Sequence, residues 1–404
     1  MRAGRYIQQP QHYRAFIPAG LPPDPPVAID AETTRLLSDA DRALGRLDGV
    51  ASVLPNADLF VTMYIRHEAV LSSQIEGTQS TLEDVVEFEV EGRAPARAKD
   101  VEEVVNYVRA MNHGLRRLAD LPLSLRLLRE IHGELLRGVR GSERQPGEFR
   151  RSQNWIGPAG CTLETAEFVP PPPHEMEIAL DNLEKFFHDR ASLPVLIHCA
   201  LAHAQFETIH PFLDGNGRVG RLLITLLLCE REVLRQPLLY LSYYLKAHRA
   251  QYYDRLMAIR NDGDWEGWVR FFLRGVFDVS QGATETARAI LELREAHRRS
   301  ISARPGSANG LRLLDYLFQQ PILSVRMAQD HLGCSYVTAA NLISELEDLR
   351  ILREITGQQR NRRFRYDPYW SLFDRQVIAP PTEERAQTPT TGSNVRRRTQ
   401  EPQR

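Results

Sequence analysis

The sequence predicts a mainly α-helical fold with one small β-hairpin flap and a winged helix-turn-helix at its C-terminal end. Three observations predict it. Apolar residues recur at helical spacing from about Asp30 to about His297. A helix, a glycine turn and a second helix are written into residues 194–228. Three short helical runs followed by strand, tip and strand fill 311–366. At 404 residues the chain is long enough for two or three domains, and 42% hydrophobic against 25% charged residues is a soluble globular balance. A net charge of −1 argues against a globally basic nucleic-acid coat. The longest leucine run, 222–229, is far short of a membrane span. The first residues lack an apolar signal core, and Cys161, Cys199, Cys229 and Cys334 form no Cys-x-x-Cys pair, so reduced thiols in a cytoplasmic protein are expected.

In chain order, residues 1–29 hold Leu21-Pro22-Pro23-Asp24-Pro25-Pro26 and read as an extended arm. Residues 30–115 read as an N-terminal helical region, in which Val70, Leu71 and Ile75 give a short helix that Gly77 stops. Its Glu76 stands at the wrong end of the helix dipole and needs a cation, for which Arg221 is the candidate. Ser72, four residues back on the same face, is placed to hydrogen-bond that carboxylate. Ser80-Thr81-Leu82-Glu83 reads as a capping box for the next helix. Within the central 116–297, Gln153-Asn154-Trp155-Ile156-Gly157 and Phe168-Val169 flank a Gly/Pro/Cys turn and read as a β-hairpin, with Pro170 to Pro173 stiffening its exit.

The stretch 298–310, rich in Ser, Pro and Gly, reads as a linker, 311–375 as the winged helix, and 376–404 as a disordered tail of Thr, Pro, Gln and Arg. Helices are expected around Leu313 to Leu317, Val325 to Leu332 and Tyr336 to Leu349, with strands at Ile351 to Ile355 and Arg362 to Tyr366. Ser335, Tyr336, Thr338 and Asn341 would then face a DNA groove while Arg360, Arg362, Arg363 and Arg365 line the wing. Glu345, Glu347 and Asp348 on the third helix would repel phosphates, so a dimerisation or protein-docking role stays open beside DNA binding.

The chemistry is concentrated in His210-Pro-Phe-Leu-Asp-Gly-Asn-Gly-Arg-Val-Gly-Arg221. Pro211 biases His210 out of the α region, which ends the first helix there, and the second restarts near Gly217 or Arg218. That second helix offers free N–H groups and a positive dipole end to an anion, and the glycines let a phosphate approach the backbone. Arg218 and Arg221, three residues apart, suit bidentate phosphate contact. Asp214 is a hard oxygen ligand, and Mg²⁺ is commonly held by one or two carboxylates plus substrate phosphates. His210 is the available general base. A P-loop fails because Arg218-Val219 follows Gly217, an EF-hand from Asp214 fails at Val219 and Thr225, and no His-Glu-x-x-His pair supports zinc.

This segment resembles the Fic (Fido) family signature, His-x-Phe-x-Asp/Glu-Gly-Asn-Gly-Arg-x-x-Arg, at every specified position. The resemblance implies a Fic helical core and transfer of AMP from ATP to a Ser, Thr or Tyr hydroxyl of a target protein, or of the chain itself, with release of pyrophosphate. It casts His210 as the base, Phe212 as the loop anchor and Asp214 as the Mg²⁺ ligand, with Mn²⁺ as the alternative. Gly215, Asn216, Gly217, Arg218, Val219, Gly220 and Arg221 become nucleotide contacts, and Tyr252 or Tyr253 meets the adenine. Trp155, Ile156 and Gly157 become the flap that docks the target by strand addition. Ser72-x-x-x-Glu76-Gly77 resembles the family's inhibitory motif, whose Glu takes the second motif Arg from the γ-phosphate; a position ahead of the core resembles the class with an N-terminal inhibitory helix. A homodimer is the expected assembly. Two other functions stay open: removal of AMP, with Glu76 orienting a hydrolytic water, and a DNA-binding regulator whose core mainly senses nucleotide.

Overall fold

Helical periodicity carries most of the chain into α-helices, and a computed structural model describes residues 2–10, 12–52, 57–91, 98–158, 160–304 and 306–374. The expected tail, 376–404, lies outside the described residues. The first elements depart from expectation. Strands β1 (Gly4–Gln8) and β2 (Arg14–Pro18) pair antiparallel inside the segment that reads as an extended arm. Phe16 on β2 is fully buried, its ring 5.0 Å from Tyr6 and 6.2 Å from Phe168, so the hairpin is anchored by apolar contact before the prolines begin.

Helices α1 (Ala31–Ser52), α2 (Ala57–Ile75), α3 (Leu82–Glu91) and α4 (Ala98–Arg117) form the N-terminal layer. The helix read over Glu68–Gly77 is thus the last part of a 19-residue α2. The box opening α3 is also shifted by one residue. Thr81 Oγ1 accepts from the N–H of Asp84, and the Asp84 carboxylate accepts from the N–H of Thr81, because only residues three apart can exchange these bonds with Thr81 as the cap.

The central helices are α5 (Leu125–Leu135), α6 (Pro173–Phe187), α7 (Val195–Ile209), α8 (Asn216–Glu230), α9 (Ser242–Ala247), α10 (Arg249–Asp262) and α11 (Trp265–Ser302). From Leu196 onward α7 is buried on every side, as its apolar sequence requires of a central helix. Helix α11, 38 residues long, packs along α1 and continues into the stretch that reads as a linker. Ile301 is 4% exposed and a methyl at Gly310 would lie 2.7 Å from it, so this boundary is a packed helical corner. Its Ser and Gly content signals a turn, while the apolar spacing that reaches Ile301 prolongs the helix.

Beyond it come α12 (Ala308–Gln319), β3 (Ile322–Ser324), α13 (Val325–Leu332), α14 (Tyr336–Asp348), β4 (Arg353–Glu354), β5 (Arg363–Arg365) and α15 (Asp367–Asp374). The sheet order β3-β5-β4, antiparallel throughout, completes a winged helix and adds β3 to the two expected strands. This unit shares one buried core with the central helices.

Candidate active site

The α7–α8 connection is fixed from four directions. Helix α7 ends at His210, whose φ of 50° and ψ of 60° are left-handed, a region that residues other than glycine enter infrequently. Pro211 does exclude the α region, but the extended alternative gives way to this tighter turn. Phe212 is fully buried and stacks on His132 at 3.8 Å. The Asn216 side chain accepts from Phe212 N and donates to Phe212 O, both at 2.8 Å, and Gly215, at φ 77°, starts α8 without a side-chain cap. His132 Nδ1 accepts from the N–H of Gly147 at 2.8 Å, so its Nε2 carries the proton and donates to the Asp214 carbonyl at 3.0 Å. Burial pushes the His132 pKa down to about 4, which keeps this donor-acceptor pattern across neutral pH. Asn154, at the flap base, donates to the carbonyls of His210 and Phe212 at 3.2 and 2.9 Å. Neither His132 nor Asn154 carries a sequence signal for this work; a lone His among Leu127, Leu128, Ile131 and Leu135 reads as core.

Two arginines project from α8 into carboxylates. Arg221, 2% exposed, donates from Nη2 to Glu76 Oε1 at 2.6 Å and to the Ser72 carbonyl at 3.1 Å, and from Nε to Ser72 Oγ at 2.7 Å. The expected Glu76–Arg221 pair is present. Ser72 differs from expectation: its hydroxyl accepts from Arg221 instead of bonding the carboxylate, because the guanidinium inserts between them. Burial works against the Glu76 charge, yet Arg221 beside it outweighs burial and brings the carboxyl below its ordinary range. The side chain of Glu76 is about a third exposed, at 34%, with its tip turned inward. A methyl at Gly217 would collide with Glu76 Oε1, so the carboxylate lies directly on the uncapped first turn of α8. Arg218 is also engaged, with Nη1 3.4 Å from the buried Glu103 and Nη2 3.8 Å from Asp214. Glu103 has no marker in the sequence, being one carboxylate in an ordinary helical pattern.

His210 is held neutral. Burial, then the nearby guanidiniums of Arg150 and Arg260, push its pKa down to about 3, against the pull of the Glu207 carbonyl and the Glu76 carboxylate. Its Nδ1 has no hydrogen-bond partner among the described residues. The Asp214 side chain is 39% exposed and accepts from Gly215 N at 2.6 Å through Oδ1. Among the described residues no three His, Cys, Asp or Glu side chains cluster as a metal cage. Asp214 therefore fits Mg²⁺ only as one ligand of a metal–nucleotide complex whose phosphates supply the others.

Parts of the chain are similar to known proteins. The model described as "Fic/DOC family N-terminal" matches residues 34–116, "Fic/DOC family" matches 122–228, and "HTH DNA binding domain" matches 311–365. The chain carries Fic/DOC family domains. Relatives named "Protein adenylyltransferase Fic" from Aedes aegypti and Culex quinquefasciatus are 36% identical over 152 residues and 35% identical over 153. Each match covers 37% of this chain and 27% of the relative, so the chain spans about a quarter of the length of these curated relatives. A Fic family protein from Desulfovibrio desulfuricans G20 shares the fold with a TM-score of 0.55 at 22% identity, over 84% of this chain and 97% of its own. A Fic domain containing signaling protein from Bacteroides thetaiotaomicron VPI-5482 gives 0.51 at 18%, over 62% and 97%.

Around the Fic motif the remaining site residues separate by exposure. Val219 is fully buried and Gly220 faces inward, its carbonyl accepting from His203 Nδ1 at 2.8 Å; neither side of that turn reaches the mouth. His203 Nε2 then accepts from the Tyr252 hydroxyl at 2.9 Å, which places Tyr252, 1% exposed, in the core. Tyr253 is 39% exposed, with Arg249 5.7 Å from its ring centre. Tyrosines in adjacent positions point to different sides of a helix, which is why only one can face a ligand. Among the described residues the flap is a single bridge, Ile156 N to Phe168 O at 2.8 Å and the reverse at 3.1 Å, short of a two-stranded ladder. Trp155 is 43% exposed and its Nε1 donates to the Cys161 carbonyl at 3.1 Å; a methyl at Gly157 would press on Cys161 Sγ at 2.7 Å. Glu207, 7% exposed with Oε1 unpartnered among the described residues, is brought up to about pKa 7 by burial and stands among Arg221, Glu76 and Arg260.

Proposed function

We propose that the chain transfers AMP from ATP to a hydroxyl group of a protein and that Glu76 holds it in a low-activity state. The observation that carries this reading is the Glu76 carboxylate seated on the first turn of α8 and paired with Arg221 at 2.6 Å, where an anionic phosphate belongs. ATP lays its phosphates against Gly215, Asn216 and Gly217, with Arg218 and Arg221 neutralising them and Tyr253 against the base. The target strand docks on Trp155, Ile156 and Gly157. His210 takes the proton of the target hydroxyl, whose oxygen attacks the α-phosphorus; the bond from that phosphorus to the β-bridging oxygen breaks and pyrophosphate leaves. Asp214 would hold Mg²⁺, which supplies charge neutralisation on the phosphates. The neutral ring of His210 is ready to accept a proton, and phosphates bound beside it favour the imidazolium that results.

Incubation with α-labelled ATP and Mg²⁺ tests this. Label should appear on protein at a low rate with the unchanged chain, rise with Glu76→Gly and vanish with His210→Ala. Labelled protein from His210→Ala would remove the assignment. If Glu76→Gly adds no label but pre-adenylylated protein loses AMP in the presence of Glu76, the enzyme runs in the direction of removal.

A second reading concerns the winged helix, because α14 opens with Tyr336 at 56% and Val337 at 66% exposure, apolar surface in the place where such modules enter a groove. DNA binding would be read as an affinity that falls with salt at about 0.9 log units per phosphate neutralised, and Arg362→Ala with Arg363→Ala should flatten that slope. No binding at low salt assigns the module to protein docking.

A further inference from the structure

Arg150 lies at the foot of the flap, is 1% exposed and, among the described residues, has no carboxylate partner. A guanidinium buried in this way is costly, so the groups it touches indicate what it is kept for. All of them are carbonyls. Nε donates to His210 O at 2.9 Å, Nη2 to Pro171 O at 2.6 Å and Ile209 O at 3.3 Å, and Nη1 to Ser152 O at 3.2 Å; its own N–H donates to Pro211 O at 2.9 Å. Three consecutive carbonyls, those of Ile209, His210 and Pro211, are therefore held by one residue, at the place where α7 breaks into the left-handed turn. A left-handed residue that is not glycine persists only where its surroundings over-determine it.

We infer that Arg150 is a positioning residue for the base, fixing the left-handed turn of His210 and setting a positive charge beside that residue. The inference rests on the reading of His210 as the base in AMP transfer. The fork geometry of a guanidinium does the first task and its charge does the second, and the two are separable. The charged or titratable groups facing His210 are Arg150 from the flap base, Arg260 from α10 and Glu76 from α2, with the Glu207 carbonyl from its own helix. Burial brings the Arg150 pKa down to about 10, so it is charged at neutral pH. Arg150 and Arg260 both oppose an imidazolium, and loss of either charge moves the His210 pKa upward.

Two variants in the Glu76→Gly background divide the tasks. Arg150→Lys keeps the charge and loses the fork. Arg150→Gln keeps two N–H donors and loses the charge. Initial labelling rates are measured as a function of pH together with the imidazole titration of His210 by NMR in the nucleotide-free protein, over a range that reaches below its pKa of about 3. Arg150→Lys should lower the rate about 10²-fold, the scale of an ångström-sized misplacement, without moving the acid limb of the profile or the His210 titration. Arg150→Gln should shift both to higher pH. An unmoved His210 titration in folded Arg150→Gln overturns the charge role, and a parental rate in Arg150→Lys overturns the geometric one. A merely structural arginine would lower the melting temperature in both and leave the titration where it was. If the Glu76→Gly parent labels nothing, AMP transfer fails as the activity while the titration still decides the Arg150 inference.

Discussion

Glu76 closes α2, where the dipole opposes a carboxylate, and reaches the start of α8, where the dipole favours one. Arg221 completes that contact. Removing the carboxylate frees both the arginine and the helix end, whereas Arg221→Ala, on the proposed reading, removes the partner of Glu76 and of the phosphate together. Initial labelling rates should therefore rise for Glu76→Gly and stay at or below wild type for Arg221→Ala, and an activated Arg221→Ala would contradict the pairing as the brake. The pair also has a pH signature. The folded pKa of Glu76 lies below the ordinary value of about 4.3, so its stabilising effect is complete above that value and is lost as pH falls through the folded pKa. Chemical denaturation of wild type and Glu76→Gln should show a stability difference that is constant from about pH 7 to 5 and shrinks in stronger acid. A difference that grows in acid would mean that the carboxyl binds as a neutral group. Asp214 is the exposed carboxylate of the motif, and Asp214→Ala should lower labelling and weaken its dependence on Mg²⁺ while the melting temperature stays near wild type.

Elements behave as their end residues dictate. Helix α14 begins at Ser335, whose Oγ accepts from Thr338 N at 3.1 Å, so this hydroxyl is spent on capping and Ser335 is a poor candidate for reading a groove. Ser335→Ala should cost about 1 kcal/mol, a typical loss for a removed cap, seen as a lower denaturation midpoint with an unchanged slope. The flap, held by one bridge, leaves its Trp155 edge open to another strand. Trp155→Ala should raise the KM for target protein and leave that for ATP unchanged; equal effects on both would place Trp155 in the nucleotide site.

At the scale of the whole molecule, the winged helix is bolted to α2, the helix that Glu76 closes. Arg66 on α2 donates to Gln319 O of α12 at 2.8 Å, Arg365 on β5 pairs with Glu83 of α3 at 2.8 Å, and Phe373 on α15 meets Tyr64 of α2 ring to ring at 5.5 Å. The wing arginines are thus partly committed within the chain, Arg365 to Glu83 and Asp367 and Arg362 to Glu347 at 3.6 Å. Phe373 is 4% exposed, and Phe373→Ala should cost about 3–5 kcal/mol. Because one core spans both parts, calorimetry should show the loss as a single transition moved to lower temperature. Two separated transitions would mean that the winged helix unfolds by itself.

Local chemistry made much of this legible in sequence. Proline after His210, glycines at 215 and 217 and leucines behind them dictate helix, turn and helix, since those preferences act within a few residues. The winged helix follows from spacing and a Gly-Cys-Ser turn for the same reason. Glu76 could be matched to Arg221, 145 positions away, because the motifs themselves are distinctive. Only the tertiary structure decided that Ser72 serves Arg221, that Glu103 holds Arg218, that Tyr253 and not Tyr252 is open, that residues 4–18 pair as a hairpin, and that Arg150 grips the turn. Each of these depends on where helices and loops distant in sequence come to lie, a matter of packing that no local pattern of residues encodes.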